Sequence, residues 1–124
     1  MTYRPRAVFI EWEGRRILCC DYAGLEDQAE AVDAFDQVRR AVAGEPPGSV
    51  LTISDVRATR LDRTMQRKLM ELTLHNRDFV RAAAVVGLTP AQRGDLDDIE
   101  RVSQRRFALF DDLDAARDWL AAQA

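Results

Sequence analysis

The sequence predicts an α/β fold: a single domain with a mainly parallel sheet, an antiparallel N-terminal hairpin, and helices packed on the sheet. Short β-prone segments alternate with longer segments of helical apolar spacing, and the resulting order is ββαβαβαβα. The chain has 124 residues, of which 47% are hydrophobic and 31% are charged. This size and composition suit one hydrophobic core, so we treat residues 1–124 as one domain.

The first elements are a hairpin and a long helix. Residues 8–12 and 16–20 are β-prone, and the short Glu13-Gly14-Arg15 link predicts an antiparallel turn between them. A helix is predicted from Glu26 to Ala43, and Gly44 favours its end. Its apolar stripe comprises Leu25, Val32, Phe35, Val38 and Val42.

The middle of the chain predicts the central strand and a second helix. Residues 49–54 are short, β-branched and almost continuously apolar, which is typical of a buried parallel strand. Thr59 and Asp62 have the spacing of a capping box, and the helix that follows ends near Asn76. Its apolar face comprises Leu61, Met65, Leu69 and Leu72.

Two further strands and two further helices complete the pattern. Residues 82–87 predict a buried strand of small side chains. Thr89-Pro90 begins a helical stretch that reaches Arg106, with Gly94 as a break. Residues 107–110 predict a short strand, and Asp111 caps a last helix. The apolar residues of these helices are Leu96, Ile99 and Val102 in the first and Leu113, Ala116, Trp119 and Leu120 in the second.

Charge and hydropathy exclude several classes of protein. The 18 basic and 21 acidic residues give a net charge of −3, which argues against nucleic-acid binding because that affinity comes mostly from neutralised phosphates. The longest uncharged run, residues 82–92, is too short to cross a bilayer. The N-terminal apolar run stops at Glu11, too early for a secretion signal. We expect a cytoplasmic protein without a transmembrane segment.

The thiols and the single histidine give no metal or cofactor site. Cys19 and Cys20 are adjacent, so on a strand their side chains point to opposite faces and a disulfide between them is disfavoured. With His75 as the one histidine, a Cys/His zinc site is out of reach. His75 near a helix end is typical of a capping side chain, and a general base is the alternative. We therefore expect no cofactor.

The most informative segment runs from Asp55 to Lys68. Between residues 56 and 68 there are five basic residues and one acidic residue, and the arginine spacing predicts one helix face. A helix start at the carboxyl end of a central parallel strand is a common ligand site and attracts anions. The alternative is a solvated face that complements the acidic first helix. The candidate binding residues are Asp55, Arg57, Thr59, Arg60, Asp62, Arg63, Thr64 and Arg67.

Four segments resemble the STAS superfamily and, within it, the small SpoIIAA-like proteins. They are residues 17–25, 51–57, 75–88 and 110–120. The most specific pieces are Ala-Val-Val-Gly at 84–87 and Ala-Arg-Asp-Trp-Leu at 116–120. STAS proteins include anti-sigma-factor antagonists, which bind a partner kinase and are switched by phosphorylation of a serine. The resemblance therefore implies an α/β regulatory module.

The resemblance also implies positions for a switch. In STAS proteins an Asp ends the central strand, which Asp55 matches, and an Asp-Ser-Ser-Gly-like run begins the next helix. Asp62 falls at the start of that run within a one-residue shift. Arg63 and Thr64 follow it, so the usual phosphoacceptor serine is missing. Thr59 and Thr64 are phosphoacceptor candidates only through the resemblance, and an ordinary role as capping and first-turn residues of the helix is the favoured explanation for both.

Two functions remain open. The first is a non-enzymatic regulatory or protein-interaction module whose Asp55–Lys68 surface holds an acidic protein segment or a small anion. The alternative is a carrier or sensor of a small anionic or apolar, lipid-like ligand, and some family descriptions extend to CRAL-TRIO lipid carriers. An apolar pocket closed by basic residues favours the carrier, and a flat basic face favours the module.

An enzyme has the least support, because the sequence contains no catalytic triad, metal set or cofactor loop. We also expect a two-fold homodimer. The N-terminal hairpin offers an exposed sheet edge beside Phe9 and Trp12, and such an edge pairs readily. The mixed charges of this hairpin allow Arg and Glu to face each other across a two-fold contact; protection of the edge by those charges is the alternative.

Overall fold

The computed structural model describes residues 4–123, which form one α/β domain around a five-stranded mixed sheet. The predicted fold class and the predicted order of elements are confirmed. The strands are β1 (Ala7–Trp12), β2 (Arg15–Asp21), β3 (Val50–Asp55), β4 (Val80–Val86) and β5 (Ala108–Phe110). The helices are α1 (Gln28–Ala43), α2 (Arg63–Asn76), α3 (Arg93–Ser103) and α4 (Leu113–Ala121), and a 3₁₀ turn at Pro90–Gln92 precedes α3.

The strands lie in the order β1-β2-β3-β4-β5. β1 and β2 form the predicted antiparallel hairpin, and all the other neighbours are parallel. The register sets Asp21 of β2 beside Asp55 of β3, and Asp55 beside Val86 of β4. Three strands therefore end together at one edge of the sheet, where the loops that follow them meet.

The two faces of the sheet are covered unequally. Each parallel connection leads to the next strand in the same direction, so connections of one hand place α1, α2 and α3 on one face. The core on this face joins α1 and α2 to β2 through residues such as Leu18, Val38 and Met65. On the other face, α4 packs alone against Ile53 and Val86. We call these the three-helix face and the α4 face.

Aspartate side chains cap the starts of α2 and α4, and both helices begin later than the sequence predicted. Asp62 accepts a hydrogen bond from the backbone N–H of Met65 at 2.8 Å, which makes Asp62 the N-cap of α2. The predicted capping box of Thr59 with Asp62 is therefore wrong, because Thr59 lies outside the helix. The last helix is capped by Asp112, one residue after the predicted Asp111.

Two predictions about helical faces and one about a helix break also need correction. Val32 and Val102 are 40% and 46% exposed, although the apolar spacing predicted that both face inward. Phe35, Val38 and Val42 are buried as predicted. Ala31 and Ala34 complete the buried face of α1 in place of Val32, since their small side chains allow the helix to approach the sheet closely. Gly94 lies inside α3 and does not break it.

The hairpin is the edge of the sheet, as predicted, but its aromatic residues are covered. The guanidinium carbon of Arg16 lies 3.5 Å from the centre of the Phe9 ring. The Trp12 indole Nε1 donates a hydrogen bond to Asp118 of α4 at 2.8 Å. The dimer through this edge stays a prediction. Among residues 4–123, no helix combines the length and apolar character needed to span a membrane.

The first testable prediction concerns the core on the α4 face. Ile53 is 1% exposed, so Ile53→Ala removes buried contacts and leaves a cavity, and we expect it to lower the free energy of unfolding by about 2–5 kcal/mol. Urea unfolding measures this loss. Val32→Ala is the control on an exposed site, where a change within about 0.5 kcal/mol is expected. Equal losses in both variants would contradict this packing.

Candidate ligand-binding site

A cleft separates α2 and α3 from the sheet on the three-helix face. α4 packs directly on β3, β4 and β5, whereas α2 packs closely on α1 and α3 and reaches the core over β2 through side chains such as Met65 and Leu72. The space between them has a volume of about 530 Å³, which lies within the range of about 300–1,000 Å³ usual for small-molecule pockets. It lies towards the carboxyl ends of β3 and β4, where Ser54 and Val85 contribute to its lining.

Small side chains in the sheet create this space. Successive side chains of a strand point to opposite faces, so the large Leu51 and Ile53 of β3 pack towards α4 while Thr52 and Ser54 face the opposite way. The walls above this floor are apolar. They comprise Val56, Leu61, Leu69, Met70, Leu88, Leu96, Ile99 and Phe107.

Three arginines lie along the α2 side of the cleft. Arg60 precedes α2, Arg63 is its first residue, and Arg67 follows one turn later. The prediction that they share one helix face is wrong for Arg60, although all three line the same cleft. Within residues 4–123, none of them has a carboxylate within 4.0 Å. Their donors are therefore available to an anion.

The α3 side of the cleft is acidic. Asp95 and Asp98 line it opposite the arginines. Asp95 accepts a hydrogen bond from the Gln66 side chain at 3.3 Å, and Asp98 accepts one from Arg101 at 2.9 Å. Because these carboxylates repel an anion, a charged group of a bound ligand is expected at the α2 side.

The loop between β3 and α2 is held in place by neighbouring backbone groups. The N–H of Val56 donates to the Val86 carbonyl at 3.0 Å, and the N–H of Arg60 donates to the Leu25 carbonyl at 2.7 Å. Ala58 adopts a left-handed conformation with φ of 56°, which is uncommon for a residue other than glycine. Arg60 therefore projects from a fixed loop.

The two candidate threonines have different environments. Thr59 is buried, its hydroxyl donates to the Val56 carbonyl at 2.8 Å, and the same oxygen accepts from Gln92 at 3.1 Å. This arrangement ties the loop to the start of the α3 region and occupies the hydroxyl. Thr64 is exposed in the first turn of α2 and does not line the cleft.

Asp55 and Arg57 lie apart from the cleft, on the α4 face. Together with Cys19 and Arg117 they line a separate cavity of about 370 Å³. Arg57 donates to both carboxylate oxygens of Asp55, at 2.9 Å and 2.6 Å, and its backbone N–H also donates to this carboxylate at 3.1 Å. The predicted set of residues is thus divided: Thr59, Arg60, Arg63 and Arg67 line the cleft, Asp55 and Arg57 line this second cavity, and Asp62 and Thr64 line neither. The Asp55–Arg57 pair is already satisfied by its own contacts.

The charge of Arg57 determines the ionisation of Asp55. Burial acts to raise the pKa of the Asp55 carboxyl, but the hydrogen bonds and positive charge of Arg57 outweigh burial and lower that pKa below its ordinary value of 3.8. The same contacts raise the pKa of the Arg57 guanidinium. The pair remains ionised at neutral pH and fixes the end of β3.

A glycine makes room for this pair. Gly87 has a φ of 84°, and a Cβ built at this position would lie 2.2 Å from Cγ of Arg57. Gly87→Ala is therefore expected to displace Arg57 and to lower the free energy of unfolding by at least about 1 kcal/mol. Gly94→Ala is the matched control, because Gly94 lies in a helix with open space around its Cα.

Urea unfolding of both variants measures these effects. We expect Gly94→Ala to be neutral or to stabilise by up to about 1 kcal/mol, since alanine favours a helix. If Gly87→Ala were as stable as Gly94→Ala, the close packing of Arg57 on Gly87 would be contradicted.

The Asp55–Arg57 pair also predicts a pH dependence. Because the pKa of Asp55 is lower in the folded state than in the unfolded state, the pair contributes its full stability above the unfolded pKa of about 3.9 and loses it as the pH falls through the folded pKa. Asp55→Asn should cost about 1–3 kcal/mol at pH 7. In urea titrations this difference should shrink below pH 4. A difference independent of pH would contradict the ion pair.

The remaining sequence candidate, His75, lines neither the cleft nor the cavity on the α4 face. Its Nδ1 lies 3.0 Å from the side-chain oxygen of Asn76, and its ring stacks on Phe79 with 6.0 Å between the centres. These contacts favour a structural role for His75 at the end of α2 over a role as a general base.

Sequence analysis missed the residues that form the floor of the cleft. Tyr22 and Ser54 line it, and both side chains hydrogen-bond to the buried thiol of Cys20. Burial and the neighbouring thiol raise the pKa of Cys20 to about 12, although these two hydrogen bonds oppose the rise, so Cys20 stays protonated. The feature of the sequence that could have indicated this floor is the pair Thr52 and Ser54, two polar residues on one side of a central strand.

Comparisons with protein-family models, with curated proteins and with solved structures find no match to this chain. The similarity to STAS proteins therefore rests on the segments and motifs of the sequence alone.

Proposed function

We propose that this protein binds a small amphipathic anion in the cleft beneath α2 and α3, as a carrier or sensor without catalytic activity. The observation that supports the proposal most is the composition of the cleft. Apolar walls enclose about 530 Å³, and three arginines without a carboxylate partner among residues 4–123 lie along one side. The apolar part of a ligand would be removed from water while its charged group stays at the rim.

The arginines and the apolar walls together favour an anion with a long apolar part. An arginine provides several N–H donors in a fixed plane, which suits carboxylate and phosphate oxygens. Each methylene buried against the walls contributes about 0.8 kcal/mol. A short hydrophilic anion would gain only the hydrogen bonds and ion pairs with the arginines. An alcohol with the same chain length as an amphipathic anion would gain only the burial of its methylenes.

This proposal predicts that dodecanoate binds at least tenfold more tightly than dodecanol, which corresponds to about 1.4 kcal/mol. Isothermal titration calorimetry measures both. Arg63→Gln/Arg67→Gln should remove the advantage of the carboxylate. Arg39→Gln/Arg40→Gln, which loses the same charge on an exposed part of α1, should retain it. Equal affinity for acid and alcohol, or no binding of dodecanoate, would refute the proposal.

A regulatory interaction module similar to STAS proteins is the second candidate. It is favoured by Thr64, which is exposed in the first turn of α2 two residues after the Asp62 cap, where the resemblance expects a phosphoacceptor. In this case the arginines would hold an acidic segment of a partner protein. The preferred ligand decides between the two: a carrier binds dodecanoate more tightly than an acidic peptide, whereas a module binds the peptide and shows no preference for dodecanoate over dodecanol.

A further inference from the structure

The cleft continues beneath α2 into a second, smaller cavity. This cavity has a volume of about 250 Å³ and shares five lining residues with the cleft. They are Tyr22, Ser54, Leu69, Thr73 and Phe107. The two spaces therefore adjoin each other at Tyr22 and Ser54 of the floor and at Leu69 and Thr73 of α2.

The far end of this passage is basic. Arg77, Arg81, Arg105 and Arg106 line the smaller cavity, together with Asn76 and Gln104. None of the described residues that line it is acidic. The cleft, in contrast, carries Asp95 and Asp98 opposite its arginines. The smaller cavity is therefore the more electropositive of the two.

Two of these arginines are structural. Arg105 donates to the backbone carbonyl of Arg77, and Arg77 donates to the Ser103 carbonyl at 3.5 Å, so both tie the end of α3 to the end of α2. Arg81 and Arg106 are exposed, and among residues 4–123 neither donates a side-chain hydrogen bond or lies within 4.0 Å of a carboxylate. Their donors are free.

The backbone is irregular at the points that present these side chains. In the pairing of β3 with β4, Val50 is opposite Val80 and Leu51 is opposite Ala82, so Arg81 is the extra residue of a β-bulge. Such bulges redirect a side chain. Gln104 ends α3 with φ of 56°, and this left-handed residue turns the chain into Arg105 and Arg106.

From this geometry we infer that the smaller cavity is a second anion-binding site and that the ligand of the cleft is an elongated molecule with an anionic group at each end. This inference rests on the proposed function, which places one of the two anionic groups at the arginines of the cleft. Arg63 at the start of α2 and Arg77 just after its end are separated by about 21 Å along the helix axis, at about 1.5 Å per residue. An α,ω-dicarboxylate spans such a passage, with its chain beneath α2.

A chain-length series tests this inference. Affinities of monocarboxylates should rise steadily with length as more methylenes are buried. Affinities of α,ω-dicarboxylates should pass through an optimum, at the length that brings the second carboxylate to Arg81 and Arg106. At this optimum we expect the dicarboxylate to bind at least tenfold more tightly than the monocarboxylate of equal length. Calorimetry or competition with a fluorescent fatty acid measures both series.

The variant Arg81→Gln/Arg106→Gln should remove the tenfold advantage and leave the affinity for monocarboxylates unchanged. Arg63→Gln/Arg67→Gln should weaken both series, and Arg39→Gln/Arg40→Gln should weaken neither. Monocarboxylate binding without any advantage for dicarboxylates would overturn the second site and leave the proposed function intact.

Failure of both series would instead refute the proposed function and, with it, the elongated ligand. Inorganic pyrophosphate then decides whether the smaller cavity binds anions at all. Binding that is lost in Arg81→Gln/Arg106→Gln would support this part of the inference, and absence of binding would overturn it.

Discussion

The side chains of the central strand β3 impose the constraint on which the rest of the structure depends. Leu51 and Ile53 fill the α4 face, where both are almost completely buried. Thr52 and Ser54 on the opposite face are small and polar, so they fill little of the space between the sheet and α2. Met65 and Leu72 of α2 reach the core over β2, and the volume that Thr52 and Ser54 leave unfilled contributes to the cleft and the smaller cavity.

The same asymmetry explains how much of the fold could be predicted. Alternation of strands and helices was enough to predict the order of elements and a mainly parallel sheet with an antiparallel hairpin. The order of the strands within the sheet comes from the structure. Helix starts were less certain, since several aspartates and threonines compete for each cap and only the packed structure selects Asp62 over Thr59. Val32 and Val102 show that apolar spacing alone does not identify the buried face when alanines approach the sheet more closely.

The candidate site was predictable only in part, for reasons of geometry. Arg60, Arg63 and Arg67 line one cleft because they lie close together in sequence. Asp55 and Arg57 belong to the same segment, yet they line the cavity on the α4 face, because successive side chains of an extended segment point to opposite faces and Val56 between them lines the cleft. The arginines of the smaller cavity come from the end of α2, the bulge in β4 and the link to β5. No local pattern in the sequence joins these three places.

Separation of the two faces of the sheet has an evolutionary consequence. The tightly packed aliphatic residues on the α4 face contribute stability without contacting the cleft. Substitutions of wall residues such as Met70 or Leu88 can therefore change which molecule is accepted while a large part of the core stays intact. A protein built in this way tolerates variation on one side of its sheet. Its relatives are expected to diverge fastest in the residues beneath α2 and α3, and slowest in those beneath α4.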